Sequence, residues 1–584
     1  MNRSLESVVV GALAGLLVGL FFLWSDLSAA FSMCQQQAWW DQRMFRLVAL
    51  EWGPSFRALT FFCLGGAMLG ALSGGRLALG GRLTTFLGSF VLVVFPVVEI
   101  ARSMVATQPP CDSPNIVWIV LDALRADHLG SYGYQHDTSP FLDELAHGST
   151  RFEFAVSQES YTLASAASYF TSTYPPVHGV LYDEPQIDLL ADEMLTAAEV
   201  LADIGYSTAA FVFNPHLQAR YRFGQGFEVY DDSIKKAEDG EGVHVHDVFD
   251  TAERMHNKVE GYLKERAAEG DSRPAALYLH YRDIHGPYVP PPPYHEMFAP
   301  EDWSAAQRAV ALRGTCRSPE DPSPKFIEDL EYRFAQYDGE IRYTDDALRS
   351  LFELLGEYGI DLTNTVVVVT ADHGEEFRDP HPDDQQGWTH GRTLYVEQVR
   401  VPLIISLPGD SPSEGQVIEA PVELLDLAPT LIELASCEGD ALPDEFQGRS
   451  LLPLLQGGTR PERPVFSGGN YSRGLVIADG MAYYAFDKKT KSKERRQYLR
   501  PDEAYVGNPG AQLFDMTRDP RQTTDLVDEQ GETRKRLEAL LGQWLDTEIR
   551  HGATGTAEYD DETVEQLRAL GYLGGTDGEG GDGL

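Results

Sequence analysis

Asn115-Ile-Val-Trp-Ile-Val-Leu121-Asp122-Ala123-Leu-Arg-Ala-Asp127 is the stretch on which the reading of this chain turns. Ile116 to Leu121 are all apolar, and the run ends on a carboxylate. A strand with one wet face would alternate; an unbroken run predicts a strand buried on both faces, as in a parallel sheet covered by helices. Sites in such sheets form outside the carboxyl ends of the strands, which is where Asp122 stands. A lone strand-end Asp is as a rule a cap or a turn residue, so the assignment depends on its company.

That company comes from similar runs at Ser207 to Phe213, Ala275 to His280, Asn364 to Thr370 and Val401 to Leu407, interleaved with helical patterns. The alternation predicts an α/β domain with a mainly parallel sheet flanked by helices. Asp372-His373-Gly374-Glu375 follows the fourth run, and a polar segment from His280 to His285 closes the third. Two Asp and one His from separate strand ends make a plausible divalent-metal set: Asp122, Asp372 and His373. Thr162, in Tyr161-Thr162-Leu-Ala164-Ser165-Ala166, opens a small-residue helix whose free amides and dipole favour an anion. A metal beside that hydroxyl would favour its alkoxide; the plainer alternative is that Thr162 only caps the helix. His285 and His390, each followed by Gly, complete the candidates as groups that bind an ester oxygen or protonate a leaving group.

With 584 residues and 43% apolar content, the chain can bury a large core and more than one unit. A net charge of -42 argues against nucleic acid as a partner, since phosphate binding needs clustered Lys and Arg. Five scattered cysteines suggest neither a zinc knuckle nor a dense disulfide framework. From Pro464 the runs shorten (Gly474 to Ala478, Met481 to Phe486, Gln512 to Phe514) and end in a helix from Gly531 to Leu545, which predicts a smaller α+β subdomain. The organisation expected is a membrane anchor at 1–107, a catalytic domain at 112–463, the subdomain at 464–575 and a disordered tail at 576–584.

The anchor is read from apolar stretches at Val8 to Trp24, Ala58 to Gly75 and Leu83 to Val98, each extendable to about 20 residues, the length that spans hydrocarbon. Arg3 and the Arg76 to Arg82 loop place their side in the cytoplasm and the catalytic domain outside it. Arg43, Arg46, Arg57 and Arg102 pull the other way. Ser28-Ala29-Ala30 would suit a cleaved signal peptide, a reading that two further spans disfavour.

In this order the segments resemble the sulfatase family of the alkaline phosphatase superfamily, from Asn115 to Leu573. Further matching segments are Tyr337-Asp338-Gly-Glu340-Ile-Arg-Tyr343, Arg400-Val-Pro-Leu-Ile404, Leu425-Asp426-Leu-Ala-Pro429-Thr430, Gln447-Gly-Arg-Ser-Leu451 and Leu513-Phe-Asp515-Met-Thr-Arg-Asp519-Pro520. The resemblance implies that fold, with Asp122, Asp372 and His373 on a metal, Thr162 at the nucleophile position, and His285 and His390 on the ester or leaving group. Departures are as informative. The family matures Cys or Ser to formylglycine in a motif continuing with Pro and Arg; here Thr162, Ala164 and Ala166 stand in those places, and no formylglycine is expected. Ala123 replaces a second acidic ligand, and Phe213-Asn-Pro-His216 replaces a Lys-Trp-His stretch. The expected activity is hydrolysis of an anionic sulfate or phosphate ester on a glycan, lipid headgroup or small molecule, assisted by zinc, manganese or calcium. The threonine site also looks like that of the phosphoglycerol and phosphoethanolamine transferases of the superfamily, and a catalytically silent binding protein is the third reading.

Overall fold

A computed structural model describes residues 113–558, apart from 234–251, 300–329, 382–387, 410–414, 437–441, 469–472, 487–510, 546–555 and a few shorter gaps. The three apolar stretches of the expected anchor and the expected C-terminal tail lie outside the described residues. Among the described residues no helix is long and apolar enough to cross a membrane.

The elements that place the site are, in chain order, β1 (Asn115–Leu121), α1 (Pro140–His147), β2 (Thr150–Val156), α2 (Thr162–Thr171), β3 (Ser207–Val212), β4 (Val229–Asp231), α3 (Ala252–Glu269), β5 (Ala275–Tyr281), α4 (Leu330–Glu357), β6 (Thr365–Thr370), β7 (Arg400–Ser406), β8 (Gln416–Ile418) and β9 (Val422–Glu423). One sheet runs β8-β2-β7-β6-β1-β5-β3-β4, with β9 also paired to β2. The centre from β6 to β4 is parallel, and β7 enters antiparallel to both β6 and β2. β3, β5 and β6 are buried at every residue, and β1 and β7 at all but the first, as their unbroken apolar runs require. β2 was not anticipated: Arg151 and Glu153 interrupt its apolar residues and pair with each other at 2.6 Å. Its burial is mixed, so no periodicity marks it.

α4 is the longest described helix and braces the site from behind. Tyr337 on it donates to the Ala123 carbonyl at 2.7 Å, and the Glu340 carboxylate accepts the Val289 N–H at 2.7 Å. Gly339 between them has no room for a side chain, since a Cβ there would lie 2.7 Å from the Tyr294 carbonyl. A single methyl would push the helix off the loop that carries His285.

Beyond the main sheet, β10 (Val465–Gly468), β11 (Arg473–Ala478), β12 (Met481–Phe486) and β13 (Gln512–Asp515) form an antiparallel sheet in sequence order. α5 (Gly531–Leu545) covers it with Leu537, Leu541 and Trp544, and Tyr174 and Leu425 from the larger part join the same apolar cluster. Phe466 stacks on Trp544 with ring centres 5.0 Å apart.

Candidate active site

Strand register builds the site. Val120 of β1 is level with Thr370 of β6 on one side and His280 of β5 on the other, and His280 is level with Val212 of β3. Two residues further along each strand stand Asp372, Asp122, Arg282 and Asn214, so four neighbouring strands deliver one row of polar side chains at the carboxyl edge. All four are buried. α2 meets this row through Thr162 and Ser165.

Thr162 is the first residue of α2. Tyr161 holds the N-cap position without a side-chain cap, so the plain capping role for the threonine does not hold. Its Oγ1 lies 3.2 Å from His373 Nε2 and 3.3 Å from Asn214 Nδ2. His373 Nε2 is 3.6 Å from Asp122 Oδ1 and 3.5 Å from Asp372 Oδ2. Asp122, Thr162, Asp372 and His373 are thus brought together. Backbone contacts fix the group: Asp372 Oδ1 accepts the N–H of Ala123 at 3.2 Å and of His373 at 2.9 Å, and Ser165 Oγ donates to the Asp372 carbonyl at 2.7 Å. Gly374 lets the chain lie against the backbone of Glu397 and Gln398, because a Cβ there would sit 2.0 Å from the Glu397 carbonyl.

His285 is buried and His390 partly buried, and both rings continue the group from His373. Ring centres are 4.2 Å apart between His373 and His390 and 4.8 Å between His285 and His390. His390 Nδ1 meets Glu375 Oε1 at 3.0 Å, and Tyr288 donates to the other oxygen of that carboxylate at 2.6 Å. The bond to Glu375 occupies Nδ1, so Nε2 is the nitrogen His390 offers a ligand. His285 Nδ1 is held between Arg282 Nη2 at 2.9 Å and the Gly286 carbonyl at 2.7 Å. Burial, then the nearby Arg282 charge, keeps the His285 ring well below the ordinary histidine range.

Two buried carboxylates this close do not share charge equally. Burial and then Asp372 push Asp122 up to about 6. Asp372 goes below the carboxylate range, because the pull of His373 and His280 outweighs its own burial. Burial lowers His373. The inner oxygens, Asp122 Oδ1 and Asp372 Oδ2, are buried and accept no hydrogen bond among the described residues. Unsatisfied carboxylate oxygens are costly to bury, and a divalent cation would satisfy both. The residues therefore fit a metal. Asp122, Asp372 and His280 offer ligand atoms within 4.8 Å of one another, with His280 Nε2 3.6 Å from Asp372 Oδ2.

Sequence reasoning named neither His280 nor Asn214 as site residues. His280 reads as the last residue of a buried strand, and Asn214 as a departure from a family pattern. Register places them: His280 is level with Val120 and Thr370, two residues short of Asp122 and Asp372, and Asn214 stands in the same row as Asp122.

The Sulfatase family model matches residues 114–437, more than half of the chain. The chain belongs to the sulfatase family. Among sulfatase relatives, an arylsulfatase of Clostridium perfringens is 26% identical over 482 residues, covering 73% of this chain and 92% of its own. The ulvan-active sulfatase of Formosa agariphila is 25% identical over 399 residues, covering 65% and 73%. In structure, the phosphonate monoester hydrolase of Agrobacterium radiobacter aligns with a TM-score of 0.55 at 20% identity, over 76% of this chain and all of that one. The family hydrolyses sulfate and related phosphorus esters and generally uses a divalent metal ion, which agrees with the donor set found here.

Proposed function

We propose that this chain is a membrane-anchored, divalent-metal-dependent hydrolase of sulfate or phosphate esters in which Thr162 is the nucleophile. The observation that carries the reading is Thr162 Oγ1 at the start of α2, 3.2 Å from His373 Nε2, the ring atom that itself stands 3.6 and 3.5 Å from the two carboxylates. Asp122, Asp372 and His373 would hold the ion, with His280 against Asp372. Bound there, it would lower the pKa of a neighbouring hydroxyl and neutralise charge on an ester oxygen.

The chain's own residues then divide the work. Thr162 reacts as its oxyanion, its proton having left to solvent, and its oxygen bonds to the ester phosphorus or sulfur as the bond to the leaving oxygen breaks. His390, held by Glu375, passes a proton to the leaving alcohol, and His285 binds a non-bridging oxygen. Water then attacks the phosphorus or sulfur atom, releasing the inorganic acid and restoring the threonine hydroxyl. A secondary alcohol cannot form the aldehyde hydrate through which formylglycine expels sulfate, so the reading favours phosphate esters over sulfate. Residues 1–107 are taken as the anchor and the catalytic part as extracytoplasmic. The substrate is an anionic ester on a glycan, lipid headgroup or small molecule.

Mass spectrometry of the peptide bearing Thr162, after incubation with p-nitrophenyl phosphate, p-nitrophenyl sulfate and a phosphodiester in zinc, manganese or calcium, tests the proposal. A phosphorylated Thr162 and release of p-nitrophenol are expected, with phosphate turnover exceeding sulfate. Calcium-dependent sulfate turnover that survives Thr162→Ala would overturn it. Transfer of the group to glycerol in preference to water would reassign the chain as a transferase.

A further inference from the structure

Asn214 is fully buried and stands two residues past the end of β3. Its surroundings decide which end of the amide is oxygen. Oδ1 accepts the His216 N–H at 2.8 Å, so Nδ2 is the atom that meets Asp122 Oδ2 at 2.7 Å and Thr162 Oγ1 at 3.3 Å. An amide nitrogen carries two hydrogens, and this geometry uses both.

Two consequences follow for the reacting oxygen. Thr162 Oγ1 receives a hydrogen bond from Asn214, so its own proton cannot point that way. His373 Nδ1 lies 2.8 Å from the Gly374 carbonyl and holds its proton there, which leaves the Nε2 lone pair, 3.2 Å from Thr162 Oγ1, for the ion of the proposed function. The amide also occupies Asp122 Oδ2, which leaves Oδ1 as the oxygen turned toward His373.

We propose that Asn214 is a catalytic residue: a neutral donor that aims the Thr162 oxygen and stabilises its negative charge while the ester bond is exchanged. The proposal rests on Thr162 as nucleophile. An amide suits the task because it stabilises charge without adding a cation beside Asp122, and its plane, pinned by His216, needs no reorganisation as charge develops.

The test uses the full-length protein with Asn214→Ala and Asn214→Asp, each alone and with Thr162→Ala, assayed on p-nitrophenyl phosphate and p-nitrophenyl phenylphosphonate in manganese. Metal content is measured in parallel. Loss of one oxyanion donor is expected to lower kcat by about 10² to 10³, with KM little changed. Asn214→Asp, which keeps the shape but sets an acceptor against Thr162 and Asp122, is expected to lose at least as much. Manganese stoichiometry in Asn214→Ala should match the parent, and the change should cost nothing further in Thr162→Ala, since the two act as a unit. Where Asn214→Ala does not fold, Asn214→Ser, which retains one donor, should show a smaller loss in kcat alone. Unchanged kcat in folded Asn214→Ala or Asn214→Ser, or an equal loss with and without Thr162, would overturn this role and leave the nucleophile standing. Full turnover by Thr162→Ala would overturn the nucleophile and this role together.

Discussion

The Ser165 hydroxyl donates to the Asp372 backbone carbonyl at 2.7 Å, tying the first turn of the nucleophile helix to the strand end that carries a candidate metal ligand. Ser157 Oγ meets the same hydroxyl at 2.9 Å, so Ser165 is fully engaged and buried. Ser165→Ala removes the tie and leaves a buried carbonyl short of a partner. It should cost about 1–3 kcal/mol of stability and lower kcat more than it raises KM. Urea unfolding and steady-state kinetics on one preparation check both; a variant of parental stability would show that the contact holds nothing in place.

Asp372→Ala and His373→Ala should each abolish tight metal binding. With so few side-chain donors in the group, none is spare. Metal analysis after dialysis against a weak chelator measures this. Parental stoichiometry in both variants would remove the metal assignment.

His390→Ala and Glu375→Gln should discriminate between leaving groups. A nitrophenolate leaves without help, whereas an alkoxide needs a proton. Both variants should therefore lose about 10² or more in kcat on an alkyl phosphate and much less on p-nitrophenyl phosphate. Equal losses on the two substrates would mean that His390 is no proton donor.

Asp283 gives a pH signature separate from the chemistry. It lies in the loop before His285, its Oδ1 accepts the Ala252 N–H at 2.9 Å, and its Oδ2 is buried without a hydrogen-bond partner among the described residues. Burial pushes this carboxyl up to about 7. The folded chain therefore keeps a proton that the unfolded chain, near the ordinary value of about 3.9, has already released. The resulting stability is present in full below that value and is lost as pH rises through 7. Asp283→Asn should shrink the difference between urea midpoints at pH 5 and pH 8. An unchanged difference would show that the carboxyl titrates normally.

Much of the molecule was legible because buried parallel strands announce themselves as unbroken apolar runs. β1, β3, β5, β6 and β7 were placed to within one residue, and the last described helix, Gly531–Leu545, was read at both ends. β2 escaped because its Arg151 and Glu153 satisfy each other on a strand of mixed burial. Asp122, Thr162, Asp372 and His373 could be chosen from residue type and strand position, and the structure gathers them. Asn214 and His280 could not. Their place depends on which strands are neighbours and in what register, a property of pairing that no single segment carries.

All ten residues of α2 are buried, from the threonine at its head to Thr171. A helix so enclosed cannot serve as a lid, and it tolerates little change of volume, so the reacting oxygen is set when the chain folds. Libraries directed at α2 should yield mostly unfolded chains.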